Sequence, residues 1–474
     1  MPGVSFYTLG CKVNQLETES IAAAFGKAGF EVLPWDLARP AAGASVLVIN
    51  TCTVTSKAEQ KARRVIRLAL RESSAPVIVT GCYALLDAEK LAAFGAERGA
   101  SRLFIVPAKD SLLDLPFFLA ERAGSARGSC MTEGIQSWLL AHPGKARLVN
   151  SSADGTFRFN PDVFLFHSRA FLKIQDGCNR RCAYCRVPLA RGESRSLDSA
   201  EVLARIRALE TKKQAEAVLT GVNIAQYRCP ATGKNLGELL CFLLDNTASI
   251  ALRLSSIEVE PGFFNGAFLK ALSQSRLRPH FHLSVQSGSA SVLAAMGRPY
   301  GPGDIRESVA LLRSVKTDPF LACDIITGFP GESEADFEKT RELCAGMGFA
   351  WIHGFPYSPR PGTGAYALEN RAGKQESARR LGCLLELSRS GREAYIRRWI
   401  GRTVDAVMEA KNLPFLGVLT DNYLRIRIDR DGFSPAAKPG SPEGGLVPGM
   451  ALRCRITGLL CPGSGHFDAV GEIT

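Results

Sequence analysis

Six cysteines, in two sets of three, are the residues of this 474-residue chain whose types and spacing could do chemistry. Cys178, Cys182 and Cys185 share one loop, CNRRCAYC, just beyond the apolar run Phe171–Ile174. Thiolates at this density, in a chain with no export signal at its start, argue for iron–sulfur or zinc ligation rather than disulfides. Structural zinc closes its shell with a fourth ligand, and no second CxxC pair exists here to complete a ribbon. A cluster held by three cysteines instead leaves one iron open for a substrate.

Cys11, Cys52 and Cys82 lie far apart in sequence but share one context. Each follows an apolar run at once (VSFYTLG, SVLVINT and PVIVTG) and each precedes a helical pattern. Strands alternating with helices imply a parallel, doubly wound sheet, whose ligands sit outside the carboxyl ends of its strands. One cysteine at such a place is ordinarily a small buried hydrophobe. Three at equivalent strand ends converge on a second metal site, again with an open position. The helix after Cys52 adds Lys57, Lys61, Arg63, Arg64, Arg67 and Arg71, readable as a solvated face or as one that meets phosphates.

Six further strand-like runs, at 171–175, 215–221, 250–257, 280–286, 320–329 and 351–358, alternate with helical patterns. Six units are too few for a full eight-fold barrel and fit a partial (β/α)6 barrel with its active face at the carboxyl strand ends. Those ends present Tyr184, Thr220, Gly221, Asn223, Glu258, Gln286 and Asp324 as binding candidates; each also has an ordinary reading as turn or cap chemistry. Residues 110–167 are weakly patterned and read as irregular. Beyond the barrel, 371–402 is a helical stretch with nine Lys or Arg against three Glu. From Thr403 onward, short strands between Gly and Pro give a small β-barrel pattern; its seven basic and eight acidic residues make it non-basic. The expected organisation is 1–148, a linker at 149–165, 166–402 and 403–474.

The CxxxCxxC loop resembles that of radical S-adenosylmethionine (SAM) enzymes, in which the open iron takes the amino and carboxylate groups of SAM and Tyr184 lies near the adenine. GCKVNQLETE, NTCTVTSKAEQKARR and TGCYA resemble the signature blocks of the methylthiotransferases, with Leu16 a departure where an aromatic is usual. That resemblance extends over almost the whole chain. It implies two 4Fe-4S clusters, on Cys11, Cys52, Cys82 and on Cys178, Cys182, Cys185. SAM would serve as methyl donor and radical source, and no further catalytic side chain is needed. It implies a carboxy-terminal RNA-binding barrel of the TRAM kind, whose lack of basic charge here is a second departure. Three branches exist, acting on threonylcarbamoyladenosine in tRNA, on isopentenyladenosine in tRNA, or on a ribosomal-protein aspartate. The spelling is most similar to the first. The partners implied are a tRNA anticodon stem-loop modified at position 37, a reductant such as flavodoxin or ferredoxin, and a sulfur source. A noncatalytic iron–sulfur RNA-binding protein is the alternative outside enzymes.

The formal charge of +12 agrees with a polyanionic partner. No run of about 18 uncharged apolar residues marks a membrane span. Fourteen cysteines without an export signal point to a reducing cytoplasm. The eight cysteines outside the two sets follow no ligand spacing and read as structural thiols.

Overall fold

The computed structural model describes residues 1–35, 43–96, 101–125, 131–142, 155–412, 415–429, 447–460 and 467–474. Its first sheet has five parallel strands: β1 (Gly3–Thr8), β2 (Glu31–Leu33), β3 (Ala44–Thr51), β4 (Val77–Gly81) and β5 (Leu103–Ile105), in the order β2-β1-β3-β4-β5. Val4, Phe6, Val46 and Val48 face one core with Ile21 and Phe25 of helix α1 (Lys12–Lys27). Leu47, Ile49, Val77 and Val79 face another with Val65 and Ile66 of helix α2 (Ser56–Glu72). Apolar residues on both faces are what a strand covered twice requires. β2 and β5, three residues each, are too short to have stood out in the sequence.

One expectation is corrected here. Residues 110–125 and 131–141 are not irregular: a turn at Lys109–Leu113 and helices at Leu115–Ser125 and Met131–Ala141 bury Leu112, Leu115, Leu119, Ile135 and Trp138 under the first sheet. The run LPFFLA is apolar on all sides, so it carries no helical period. The segment NSSAD (150–154) lies outside the described residues.

The half-barrel follows. β6 (Ala170–Lys173), β7 (Glu216–Thr220) and β8 (Ala251–Leu254) form one parallel sheet; β9 (His280–Gln286), β10 (Phe320–Thr327) and β11 (Trp351–Pro356) form another. Parallel bridges Leu252–Leu277 and Ile257–Leu283 join them. Leu172, Leu219, Leu252, Leu254, Leu283 and Cys323 turn outward into one large core. By strand alternation Phe171, Val218, Arg253, His280, His282 and Asp324 turn into the lumen. Leu16 of α1 covers Phe171 and Val218, so the first unit walls the open side of the barrel. Leu16, an aliphatic where the resemblance expects an aromatic, is fully buried there.

At the amino end of these strands Glu216 binds Arg253 at 2.6 and 2.8 Å and Arg278 at 3.2 Å, with Arg169 at 3.4 Å. Burial alone would raise the Glu216 carboxyl, but the three guanidiniums outweigh it and hold it at about 2. Its stabilisation is therefore complete above the ordinary carboxyl range and lost as pH falls toward 2. Glu216→Gln is expected to lower stability by about 3–5 kcal/mol at pH 7, since it strands buried cations. Thermal unfolding between pH 7 and 2.5 checks this, and the variant should have the flatter acid limb.

The last strands, β12 (Thr403–Asn412), β13 (Phe415–Thr420), β14 (Arg425–Asp429), β15 (Ala451–Leu459) and β16 (Ala469–Ile473), close a barrel in the order β12-β13-β14-β16-β15. The run FLGVLTDNYLRIRI forms two of these strands, broken where Tyr423 takes φ 69°. Tyr423 leaves the small barrel and stacks on His280 at 3.8 Å between ring centroids. It thereby closes the floor of the half-barrel. The basic stretch is helix Lys374–Arg397, and much of its charge is spent at home. Arg380 binds Glu332 and Glu376, Arg392 binds Asp468, and Arg398 binds Asp318.

Candidate active site: two cysteine trios at one interface

Cys11 ends the loop after β1, Cys52 follows β3, and Cys82 opens the short helix α3 (Cys82–Leu86) after β4. The three strands are adjacent, so the topology brings the thiols to one edge. Gly10 and Gly81 make the approach possible. A Cβ on Gly81 would lie 2.3 Å from the carbonyl oxygen of Thr51, and one on Gly10 would lie 3.2 Å from Cys52 Sγ. Both have positive φ, +94° and +108°. Burial, with Cys82 and Cys11 near by, pushes the Cys52 thiol up to about 12.

Cys178, Cys182 and Cys185 lie on the loop between β6 and helix α4 (Val187–Arg191). Burial pushes Cys185 up to about 12, with its two partner cysteines adding to the shift. Backbone N–H groups of Arg180, Val187 and Val54 donate to Cys178, Cys185 and Cys52 at 3.4, 3.4 and 3.5 Å. All six thiols are free.

This donor set fits two iron–sulfur clusters. Among the described residues neither trio gathers its sulfurs within 4.8 Å of one another, the closeness a single ion would ask. A cluster gives each sulfur its own iron and needs no such closeness. Thiols raised by burial ionise when a metal takes the proton's place, and amide donors to sulfur are the usual means of tuning a cluster.

The binding candidates separate into groups. Glu258 is central: Asn223 Nδ2 donates to it at 2.7 Å, Arg180 Nε at 3.0 Å and Arg298 at 2.6 Å. Arg298 also reaches the Tyr184 hydroxyl and lies over its ring. Tyr184, Asn223 and Glu258 therefore join the CxxxCxxC loop in one network. Gly221 has room for no side chain, because a Cβ would lie 2.7 Å from Gln175 Oε1. Thr220 Oγ1 and Asn223 Oδ1 are buried without partners. Gln286 ends β9 with φ 67° at a register shift. Asp324 stands apart, its carboxylate 2.9 Å from His282 and 3.6 Å from His353; the imidazoles hold it well below the ordinary carboxyl range despite burial.

Sequence reasoning missed the arginines that join the trios. Arg186, next to Cys185, donates to Thr53 at 3.0 Å and Asp87 at 2.9 Å, and lies 3.3 Å from Glu59. Arg360, from the loop after β11, donates to Thr53 at 3.0 Å and to Ser56 at 3.1 Å, and also binds Glu59. Arg191, at the end of α4, binds Asn14 and Glu17 of α1 at 2.8 and 3.0 Å and Asp176 at 3.1 Å. Apart from Arg191–Asp176, each of these bonds ties the half-barrel unit to the unit that carries Cys11, Cys52 and Cys82. The basic spelling RVPLAR after Cys185 marks Arg186 and Arg191 but not their partners, and nothing local marks Arg360.

A half-barrel of parallel strands with a three-cysteine loop above it is the frame of a radical SAM enzyme, and the radical SAM superfamily pattern matches residues 172–344. A second pattern, described as uncharacterized protein family UPF0004, matches residues 3–99. The chain is 39% identical to the threonylcarbamoyladenosine tRNA methylthiotransferase MtaB of Treponema pallidum, over 92% of this chain and 97% of that one. It is 35% identical to the protein of that name from Thermotoga maritima, over 85% of each. It is 32% identical to the tRNA-2-methylthio-N(6)-dimethylallyladenosine synthase of Solibacter usitatus, over 91% and 96%. The chain belongs to this methylthiotransferase family. Among solved structures, the radical SAM methyltransferase TsrM of Kitasatospora setae covers 77% of each chain at 15% identity, with a TM-score of 0.47.

Proposed function

We propose that this protein methylthiolates carbon 2 of N6-threonylcarbamoyladenosine at position 37 of tRNA, beside the anticodon. The observation that carries the reading is the pinning of two cysteine trios to each other by Arg186, Arg360 and Arg191. Relatives named for this substrate reach 39% and 35% identity, which favours it over the dimethylallyl counterpart at 32%. Cys178, Cys182 and Cys185 would hold the cluster that takes SAM, and Cys11, Cys52 and Cys82 a second one. An aromatic C–H lies beyond side-chain acids and bases, and the cofactor supplies a deoxyadenosyl radical and a methylated sulfur in their place.

The chain's own residues position and shield. Tyr184, Thr220, Gly221, Asn223, Glu258 and Gln286 are the SAM-site candidates; Glu258, already holding Arg180 and Arg298, would keep both cations beside a cluster on Cys178, Cys182 and Cys185. Asp324 belongs to the lumen wall below. The units 1–148, 166–402 and 403–474, with 149–165 between them, divide the work into second cluster, radical site and floor. A reductant of the flavodoxin or ferredoxin kind and a sulfur source are required from outside. No helix among the described residues is long and apolar enough to cross a membrane, and a tRNA substrate favours the cytoplasm.

Mass spectrometry of tRNA nucleosides from cells with and without the gene tests the reading. Loss of 2-methylthio-threonylcarbamoyladenosine is expected; loss of the isopentenyl product alone would overturn the substrate. The RNA-facing surface has its own prediction. Lys57, Lys61, Arg64 and Arg71 lie at helical spacing along α2 and are exposed. Reversing Lys57, Lys61 and Arg64 to Glu should weaken stem-loop binding whatever the sequence and reduce its salt slope by about 3, read from affinities across a salt series.

A further inference from the structure

The lumen contains polar groups that none of these roles uses. Arg253 turns inward between Leu252 and Leu254; its Nε and Nη2 are spent on Glu216 and on the Thr420 carbonyl, and its Nη1 has no partner. Two residues along the same strand direction, Ser255 Oγ is buried and unpartnered, and so is His280 Nδ1 on β9. Arg253, Ser255 and His280 are each at most 5% exposed.

Lys12 enters this lumen from the other unit. It is the first residue of α1, directly after Cys11, and Leu16 one turn later rests on the lumen residues Phe171 and Val218. It is half-buried. Burial lowers its pKa, and the charged or titratable groups around it include Tyr423, Arg169, Arg253 and His280. Among the described residues it makes no hydrogen bond or ion pair. The neighbouring carboxylate, Glu216, is already shared by three arginines. A confined ammonium beside a spare guanidinium N–H and two uncommitted groups is a receptor for an anion.

The substrate class reached above, on which this inference rests, supplies one. The N6 side chain of threonylcarbamoyladenosine ends in a carboxylate, whereas an isopentenyl chain is neutral and apolar. Lys12 directly follows Cys11, so a substrate held at that trio would lie on the side from which Lys12 enters the lumen. We propose that Lys12, with Arg253 Nη1, Ser255 and His280, receives the threonyl carboxylate and is the residue that selects a carboxylate-bearing adenosine over an alkylated one. An alkyl chain would leave Lys12 without a counterion, so the preference arises from both acceptance and rejection.

The test uses the reconstituted full-length enzyme and two anticodon stem-loops that differ only at residue 37, one with the threonylcarbamoyl carboxylate and one with its carboxamide. Dissociation constants are measured by anisotropy. Wild type should prefer the carboxylate by roughly tenfold or more, the worth of a charge-assisted bond. Lys12→Met should lose that preference and Lys12→Arg should keep most of it, with equal iron content showing that both variants fold. A Lys12→Met enzyme that keeps the preference overturns the proposal. So does one that instead loses affinity for SAM, because the anion seated there would then be SAM's own carboxylate. If the wild type fails to methylthiolate the carboxylate RNA at all, it is the substrate reading that falls.

Discussion

Cys182→Ala is expected to reduce 5′-deoxyadenosine formation from SAM by more than about a thousandfold, to background. Cys182 is 9% exposed and in the field of Arg298, Glu258 and Cys178. With one thiol gone the loop offers two ligands, too few to hold a cluster with one open iron. The iron bound after reconstitution should fall by roughly half, because the other trio is untouched. Normal cleavage of SAM by this variant, followed by chromatography under strong reductant, would refute the assignment of the radical site.

Cys52→Ala should give the opposite pattern. Deoxyadenosine should still form in the presence of SAM and reductant, while methylthiolated RNA should drop below detection. Cys52 is 7% exposed beside Gly10 and Cys11, and its replacement removes one small apolar-packed atom, costing about 1 kcal/mol of stability. Loss of both activities together would point to a folding defect or to a single cluster shared by both sets. Retention of both would make Cys11, Cys52 and Cys82 structural thiols. The two variants together therefore separate two clusters from one.

The strands that carry the cysteines were legible because each is a continuous apolar run ended by Gly or Thr and then Cys. The half-barrel was legible for the same reason, its six runs spaced by amphipathic helices. The sequence did not disclose the helix at Leu115–Ser125, where the run LPFFLA is apolar on every side and carries no period, or the hairpin at Tyr423, whose turn lacks glycine and proline. The cysteines of the site could be read because metal ligation fixes type and spacing together. The arginines could not. Arg186, Arg191 and Arg360 matter through partners more than 90 residues away, such as Asp87, Glu17 and Glu59, and no local pattern marks a pairing at that range. The basic helix at 374–397 shows the converse: a charge run that resembles an RNA grip is largely neutralised by carboxylates from its own chain.

The bonds from Arg186, Arg360 and Arg191 also fix how the reaction can be timed. Two halves joined at Thr53 and Glu59 by Arg186 and Arg360, and at Asn14 and Glu17 by Arg191, should hold the spacing of the two trios from the moment the chain folds, before any ligand binds. The moving part must then be the nucleic acid. Position 37 has to leave its stack and travel into a slot of constant width, and the cost of unstacking falls on the RNA. Stem-loops whose residue 37 is already loosely stacked should therefore be turned over faster, and a stiffer loop should slow the enzyme without touching any of its residues.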